Sequence, residues 1–282
     1  MKRKTILSVL LTGALAIGLM GCGANNGDEG ANAGSSGNAE DKTITIGVSP
    51  VPHKEIVEAI KPDLEAKGYT VDIVEFSDYV TPNTALEEGD LDANYFQHIS
   101  YLNESNEGKG LNLTYTAAIH LEPIGIYSKT VKSLDEVKDG ARVAVPNDPS
   151  NEARALRLLE AQGLIKLNDG ELVTVKDITE NSKNLEIEEL EAAQLPRVLE
   201  EFDLVVINGN YALEAELNPA TDALALEDKD AKAAEIYRNV LAVKKGNENN
   251  QKIKDLTEAL TSDTAKKFIE ENYNGSVIPT FE

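Results

Sequence analysis

The polar stretch NDPSNEAR, residues 147–154, has the residue types and spacing to bind a carboxylate. It follows a predicted strand at residues 142–145. Asp148 suits the cap of a helix whose first position is a proline, which places Asn151 and Arg154 three residues apart on one helix face. A helix start leaves backbone N–H groups unpaired, and the guanidinium adds a fork that matches a carboxylate. Spacing alone leaves open the alternative that Arg154 forms an ordinary surface salt bridge.

Aromatic side chains are concentrated in DANYFQHISY, residues 92–101, although only 5% of the chain is aromatic. Aromatic walls suit apolar or sulfur-containing ligand groups, and a thioether against a ring contributes about 0.3–1.5 kcal/mol. The alternative is ordinary protein core, with His98 a buried histidine whose hydrogen bonds are satisfied. The residues alone leave both interpretations open.

A side-chain amide follows another apolar run. Asn208 comes directly after the predicted strand at residues 204–207 and can donate and accept hydrogen bonds at once. Because Asn-Gly is also a common turn sequence, the alternative is a turn without a binding role.

The elements that must position these residues follow from apolar periodicity. Strand and helix patterns alternate along the chain, which predicts an α/β architecture with a mainly parallel sheet and ligand sites beyond the carboxyl ends of strands. Length and pattern leave one large domain or two smaller ones undecided, and two segments are candidates for crossings between lobes, 120–128 and 237–244. Strands are predicted at 43–48, 69–76, 142–145, 184–190, 204–207 and 240–243, and helices at 56–64, 152–162, 192–201, 250–260 and 263–272.

Composition excludes several functions. The 282 residues carry a formal net charge of -22, which repels nucleic acid. The chain lacks the sequence motifs of dinucleotide, P-loop, zinc-protease, dithiol and serine-hydrolase sites. His53, His98 and His120 show no metal-ligand spacing. We therefore expect no metal, no cofactor and no catalytic residues.

The N-terminus has the pattern of an export signal. Basic residues at 2–4 precede an apolar run at 6–20, which is too short for a membrane span. The following LMGC resembles the bacterial lipobox, in which cleavage before the cysteine leaves an acylated N-terminal Cys22. We therefore expect a lipoprotein signal peptide at 1–21 and a lipid-anchored flexible linker at 22–42, which lacks aromatic and β-branched residues. The alternative is a secreted protein with an incidental cysteine.

Several blocks in series resemble the methionine-binding lipoprotein family, the substrate-binding components of methionine ABC importers. They are DYVTPNTALEEGDLDANYFQH, LEPIGIYSK, VAVPNDPSNEARAL, LEAAQLPRVL and VINGNYAL. The resemblance extends from about residue 44 to residue 281. It implies an α/β, two-lobed periplasmic-binding-protein-like fold, in which each lobe is a sheet flanked by helices and two crossing segments join them. Lobe 1 would comprise residues 43–124 plus 240–282, and lobe 2 residues 125–239.

The resemblance also implies the ligand site. Family positions around the thioether match Tyr79, Phe96, His98 and Tyr101, and those that contact the carboxylate and ammonium match Arg154, Asn208 and Asn239, with Asn151 beside Arg154. The sequence departs from the family pattern in two places, the loop at 50–53 and the segment before Asn239.

The implied function is binding without catalysis. A lipid-anchored monomer on the extracytoplasmic side of the cell membrane would capture L- or D-methionine between its lobes and deliver it to an ABC transporter permease and its ATPase. One alternative is a receptor of the same fold for a methionine-containing dipeptide or another small amino acid. A second is an anchored hydrolase or surface adhesin.

Overall fold

The computed structural model describes residues 42–230 and 232–282. The predicted signal peptide, Cys22 and all of the predicted linker except Lys42 lie outside these ranges. From residue 42 onward the described residues pack as one compact unit. None of the helices in the described ranges has the length and apolarity that a bilayer crossing requires.

The described residues form thirteen strands and eight α-helices. The strands are β1 (Thr43–Val48), β2 (Thr70–Glu75), β3 (Ala93–His98), β4 (Leu113–Leu121), β5 (Gly125–Tyr127), β6 (Arg142–Pro146), β7 (Lys166–Leu167), β8 (Ile178–Glu180), β9 (Glu186–Leu190), β10 (Leu204–Ile207), β11 (Ala225–Leu226), β12 (Arg238–Lys244) and β13 (Ile278–Pro279). The helices are α1 (Glu55–Ala66), α2 (Thr81–Glu88), α3 (Ile99–Lys109), α4 (Pro149–Ala161), α5 (Gly209–Glu214), α6 (Pro219–Asp222), α7 (Gln251–Leu260) and α8 (Asp263–Tyr273).

A six-stranded sheet has the order β13–β4–β12–β3–β1–β2. β1 runs parallel to β2 and β3, whereas β12 runs antiparallel to β3 and β4. The apolar faces of α1, α7 and α8 pack on this sheet. Their buried residues recur every three or four positions, which is the helical spacing seen in the sequence. This core includes Ile44, Ile46, Ile56, Ile60, Leu256 and Ile269.

A five-stranded sheet has the order β11–β5–β10–β6–β9. β6 runs parallel to β9 and β10, and β5 runs antiparallel to β10. α4 covers one face, where Leu156 and Leu159 pack with Val143 and Val145. The carboxyl ends of β6 and β10 lead into α4 and α5, so these two helix starts lie at one edge of the sheet.

Both sheets are mixed, so the expectation of a mainly parallel sheet is wrong. The antiparallel strands β5 and β12 lie where the chain passes between the sheets, because β4 leads to β5 and β11 leads to β12. The prediction of an α-helix at 192–201 is also wrong. This stretch is a 3₁₀ segment, Ala192–Val198, because Pro196 lacks the N–H that an α-helix would need there.

The predicted α/β, two-lobed periplasmic-binding-protein-like fold class is confirmed. The strands of the six-stranded sheet fall within 43–121 and 238–279, and those of the five-stranded sheet fall within 125–226. The lobe boundaries expected from sequence stay a prediction.

Candidate functional site

The polar end of α4 begins directly after β6. The Asp148 carboxylate caps the helix by accepting the backbone N–H of Asn151 at 3.0 Å, and Pro149 occupies the first helical position. The cap predicted from sequence is therefore confirmed. Asn151 and Arg154, three residues apart, both line one cavity.

The Arg154 guanidinium is almost fully buried and forms an ion pair. Its Nε donates to Glu227 Oε1 at 2.9 Å, and its Nη2 donates to Glu227 Oε2 at 2.5 Å and to the carbonyl oxygen of Glu122 at 2.8 Å. Burial alone would lower the pKa of Arg154, but Glu227 raises it above its ordinary value. Nη1 donates to no oxygen of the described residues. The ion pair considered as an alternative therefore exists, but it is buried and leaves one nitrogen for a ligand.

The apolar part of the cavity is a cluster of rings. Tyr79, Phe96 and Tyr101 have their centroids within 6.0 Å of one another. Protein groups occupy both hydroxyls, because Tyr79 donates to Asn210 Oδ1 at 2.5 Å and Tyr101 donates to the carbonyl oxygen of Tyr79 at 2.8 Å. The rings therefore present apolar surface to the cavity.

His98 is held as a neutral ring at the start of α3. Its Nδ1 accepts the backbone N–H of Tyr101 at 3.0 Å, and its Nε2 lies 3.1 Å from Asn151 Oδ1. These partners assign the proton to Nε2. Burial, with the nearby charge of Arg154, lowers the pKa of His98 to about 3. His98 is therefore uncharged at neutral pH and adds to the ring wall.

Three amides lie on the polar side. The Asn151 side chain is fully used within the protein, because Oδ1 contacts His98 and accepts from Asn208 Nδ2 at 2.7 Å, while Nδ2 donates to Asp148. Asn208 Oδ1, in contrast, is buried without a hydrogen-bond partner among the described residues. Asn239 Oδ1 lies 3.1 Å from His53 Nε2. The orphaned acceptor on Asn208 is a position for a ligand donor.

Glu122, which was not predicted as a site residue, lines the cavity and is 4% exposed. Its Oε1 lies 2.6 Å from His120 Nε2 and 3.4 Å from His53 Nε2. Burial raises the pKa of Glu122 above its ordinary value, and His53 and Arg154 offset only part of this rise. A lone acid between the apolar end of β4 and Pro123 is the signal that could have identified it.

Gln97 and Asn210 were also missed. Gln97 belongs to a buried hydrogen-bond network of side-chain amides, in which its Nε2 donates to Asn83 Oδ1 at 2.6 Å. Asn210 Oδ1 accepts from the Tyr79 hydroxyl. Both come from stretches that the sequence singled out for other residues. Nothing in the sequence marks these two amides as lining residues apart from their position next to predicted ones.

Two of the three histidines converge, contrary to what their sequence spacing suggests. The ligand atoms of His53, His120 and Glu122 lie within 4.8 Å of one another, close enough for these side chains to hold a metal ion. Contacts within the protein account for the same arrangement, because His120 hydrogen-bonds to both Tyr95 OH and Glu122, and His53 hydrogen-bonds to Asn239 and lies 3.4 Å from Glu122. The absence of a metal stays a prediction.

All eight ligand positions expected from sequence border one cavity. Strands β3 and β12 of the six-stranded sheet contribute residues, and so do α4, α5 and Asn208, which follow strands of the five-stranded sheet. The aromatic and polar groups therefore face the same volume. The lining comprises Tyr79, Phe96, Gln97, His98, Tyr101, Glu122, Asn151, Arg154, Asn208, Gly209, Asn210 and Asn239.

A two-sheet α/β fold around a cavity lined by both aromatic rings and polar side chains defines a small-molecule-binding protein of the two-lobed class. The chain belongs to the NlpA lipoprotein family, whose model matches residues 44–281. The family resemblance noted in the sequence is therefore confirmed.

Named relatives align over almost the whole chain. The methionine-binding lipoprotein MetQ of Bacillus subtilis (strain 168) is 41% identical over 284 residues, covering 97% of this chain and 99% of that protein. The D-methionine-binding lipoprotein MetQ of Escherichia coli (strain K12) is 40% identical over 283 residues, covering 98% of each. A solved nutrient-binding protein of Burkholderia cenocepacia bound to methionine has a TM-score of 0.81 and 45% identity, covering 84% of this chain and all of that one.

Proposed function

We propose that this chain captures methionine in the cavity and delivers it to an ABC importer without making or breaking a bond. The proposal is supported by relatives that are named as methionine-binding lipoproteins and by a solved relative bound to methionine. The cavity combines aromatic rings with a few polar side chains, which is typical of small-molecule sites.

One observation carries the proposal, the pairing of an unused donor with an unused acceptor on the polar side. Arg154 Nη1 would donate to the ligand carboxylate, and the orphaned Asn208 Oδ1 would accept from the ligand ammonium. The Asn239 amide lies beside them in the lining. An α-amino acid offers the matching groups on one carbon, so its binding would satisfy both.

The thioether would lie against Tyr79, Phe96, His98 and Tyr101. Ring contacts with sulfur contribute about 0.3–1.5 kcal/mol each, and burial of the side chain adds to this. Asn151 would not contact the ligand, because its amide is occupied by His98, Asn208 and Asp148. Its role would be to orient the His98 ring and the Asn208 amide.

Delivery requires an anchor, lobes that move and a transporter. The proposed lobes are residues 43–124 plus 240–282 and residues 125–239, and a ligand that contacts both would favour their closed arrangement by differential affinity. The lipoprotein names of the relatives and the LMGC sequence support acylation of Cys22 and a position on the extracytoplasmic face of the membrane. The partners would be a permease and its ATPase, and the chain would act as a monomer.

Mass spectrometry of the small molecule released when purified protein is denatured would test the ligand directly. We expect methionine; a methionine-containing dipeptide or another amino acid would support the same fold with a different ligand. Titration calorimetry should then show that Arg154→Ala weakens methionine binding at least tenfold. Arg142→Ala, which removes an exposed arginine paired with Glu188, is the matched control and should bind as the wild type does. Unchanged affinity in Arg154→Ala would remove that residue from the site.

A further inference from the structure

Glu122 is a buried carboxylate whose hydrogen-bond partners are all donors. An ionised carboxylate can only accept, so His120 donates to Glu122 Oε1 from Nε2 at 2.6 Å, and the Tyr95 hydroxyl then donates to His120 Nδ1. These contacts hold the side chain in one position at the cavity wall.

His53 approaches the same carboxylate. Its Nδ1 is buried without a partner among the described residues, whereas its Nε2 lies 3.1 Å from Asn239 Oδ1 and 3.4 Å from Glu122 Oε1. Since Asn239 Oδ1 and Glu122 Oε1 are acceptors, the proton lies on Nε2 and points at both. His53 therefore connects Glu122 to one of the amides that line the cavity.

No permanent cation is committed to Glu122 among the described residues. The basic side chains in contact with its carboxylate are His53 and His120. Burial lowers their pKa values to about 4 and about 3, so both rings are neutral at neutral pH and neither forms an ion pair with Glu122. Arg154 binds the carbonyl oxygen of Glu122, but its charge is paired with Glu227 at two points. A buried carboxylate in this position is stabilised by a cation that enters the cavity.

The loop that carries Asn208 wraps around the carboxylate. A Cβ added to Gly209 would lie 2.9 Å from Glu122 Oε2, so the backbone after Asn208 packs directly on Glu122. The carboxylate and the orphaned Asn208 Oδ1 therefore belong to the same region of the lining. Both are acceptors, as an ammonium group requires.

We propose that Glu122 is the counter-ion for the α-ammonium of the ligand, and that it selects ligands with a free, charged amine. His53 and His120 are positioning residues that hold the carboxylate toward the cavity. This inference rests on the proposed function, and it adds a residue and a selectivity that the family resemblance did not assign.

Selectivity is tested with methionine and its deaminated analogue, 4-(methylsulfanyl)butanoic acid, which keeps the carboxylate and the thioether. Calorimetry on the wild-type chain should show at least tenfold tighter binding of methionine. Glu122→Gln keeps the shape of the side chain and removes its charge, so it should weaken methionine binding at least tenfold and change binding of the analogue less than twofold. The exposed Glu200→Gln is the matched control and should leave both affinities unchanged.

The outcomes separate the two proposals. Wild-type protein that does not bind methionine overturns the proposed function and this inference together. If the wild-type protein binds both compounds equally well, the role of Glu122 is overturned and the proposed function is not. This comparison needs no variant, so it holds even if Glu122→Gln does not fold. An equal loss of both ligands in a folded Glu122→Gln variant also overturns it, because that result indicates a structural role.

Discussion

Arg154 and Glu227 form a buried two-point ion pair although 73 residues separate them in the sequence. The arginine side chain is 3% exposed and the glutamate side chain 15%. The pair fixes the guanidinium plane, and with it the direction in which the unused Nη1 points. Ligand recognition at Arg154 thus depends on a residue that lies outside the lining of the cavity.

Replacement of Glu227 by Ala should destabilise the fold, because the Arg154 charge would remain buried with the Glu122 carbonyl oxygen and the Tyr237 ring as partners but no carboxylate paired with it. We expect a loss of roughly 3 kcal/mol in the free energy of unfolding, measured by urea denaturation. Glu188→Ala breaks the exposed pair with Arg142 and should lose less than about 0.5 kcal/mol. Similar losses in the two variants would contradict the importance of burial.

Asn151→Ala should weaken methionine binding although Asn151 is not expected to touch the ligand. The variant removes the acceptor shared by His98 Nε2 and Asn208 Nδ2, so we expect a loss of about tenfold in calorimetry. Nitrogen NMR of His98 should report a proton on Nε2 in the wild type and a mixture of tautomers in the variant. Exposed Asn272→Ala is the control; an unchanged His98 spectrum in Asn151→Ala would rule out this positioning role.

Local signals in the sequence were sufficient to predict the polar residues of the site at the start of α4. The Asp148 cap and the three-residue spacing of Asn151 and Arg154 depend only on neighbours within one helix turn, and the structure reproduces them. The concentration of rings at 92–101 was also a local signal, but Tyr79 required the resemblance to a family, because Tyr79 and Tyr101 come from separate elements and no periodicity joins them.

The rest of the site depends on long-range packing. Glu227 meets Arg154, and His53 meets Glu122, through contacts between residues that are about 70 positions apart in the sequence but belong to the same sheet region. Helices α2 and α3 were also missed, because their exposed faces are polar and their apolar residues are few. Caps and strands depend on neighbours in the sequence and can be predicted from it, whereas these contacts are set by the topology of the fold.

Stability should depend on pH through Glu152 at the first turn of α4. Burial, with the neighbouring Glu189 carboxylate, raises the pKa of Glu152 to about 7 from 4.5. The folded chain therefore holds a proton that the unfolded chain has lost, so this contribution to stability is full below pH 4.5 and is lost as pH rises through about 7.

Glu152→Gln should remove that dependence, because an amide can keep the Val175 N–H bond and carries no charge. Relative to the wild type, we expect a gain of about 1 kcal/mol at pH 8, or roughly 2–4 °C in melting temperature, and no gain at pH 4. Melting curves across this range check the prediction. Parallel curves for the two proteins would show that Glu152 titrates normally.

Gly209 lies at the start of α5, where the backbone passes closest to Glu122. An added Cβ would lie 2.7 Å from Glu122 Cβ, and neither atom is the end of a flexible side chain, so the loop or the β4 end must move. We expect Gly209→Ala to lose about 1–3 kcal/mol of stability and to weaken methionine binding, because Asn208 and Glu122 would both be displaced.

Gly108→Ala provides the matched control for this substitution. Gly108 lies within α3, and its added Cβ would meet only the terminal oxygen of Glu104, at 3.2 Å. Since alanine favours a helix over glycine by roughly 0.5–1 kcal/mol, this variant should be at least as stable as the wild type and should bind methionine normally. Thermal melting and calorimetry on both variants provide the comparison. If Gly209→Ala matched Gly108→Ala in both measurements, the close approach of the loop to Glu122 would have no role in forming the cavity.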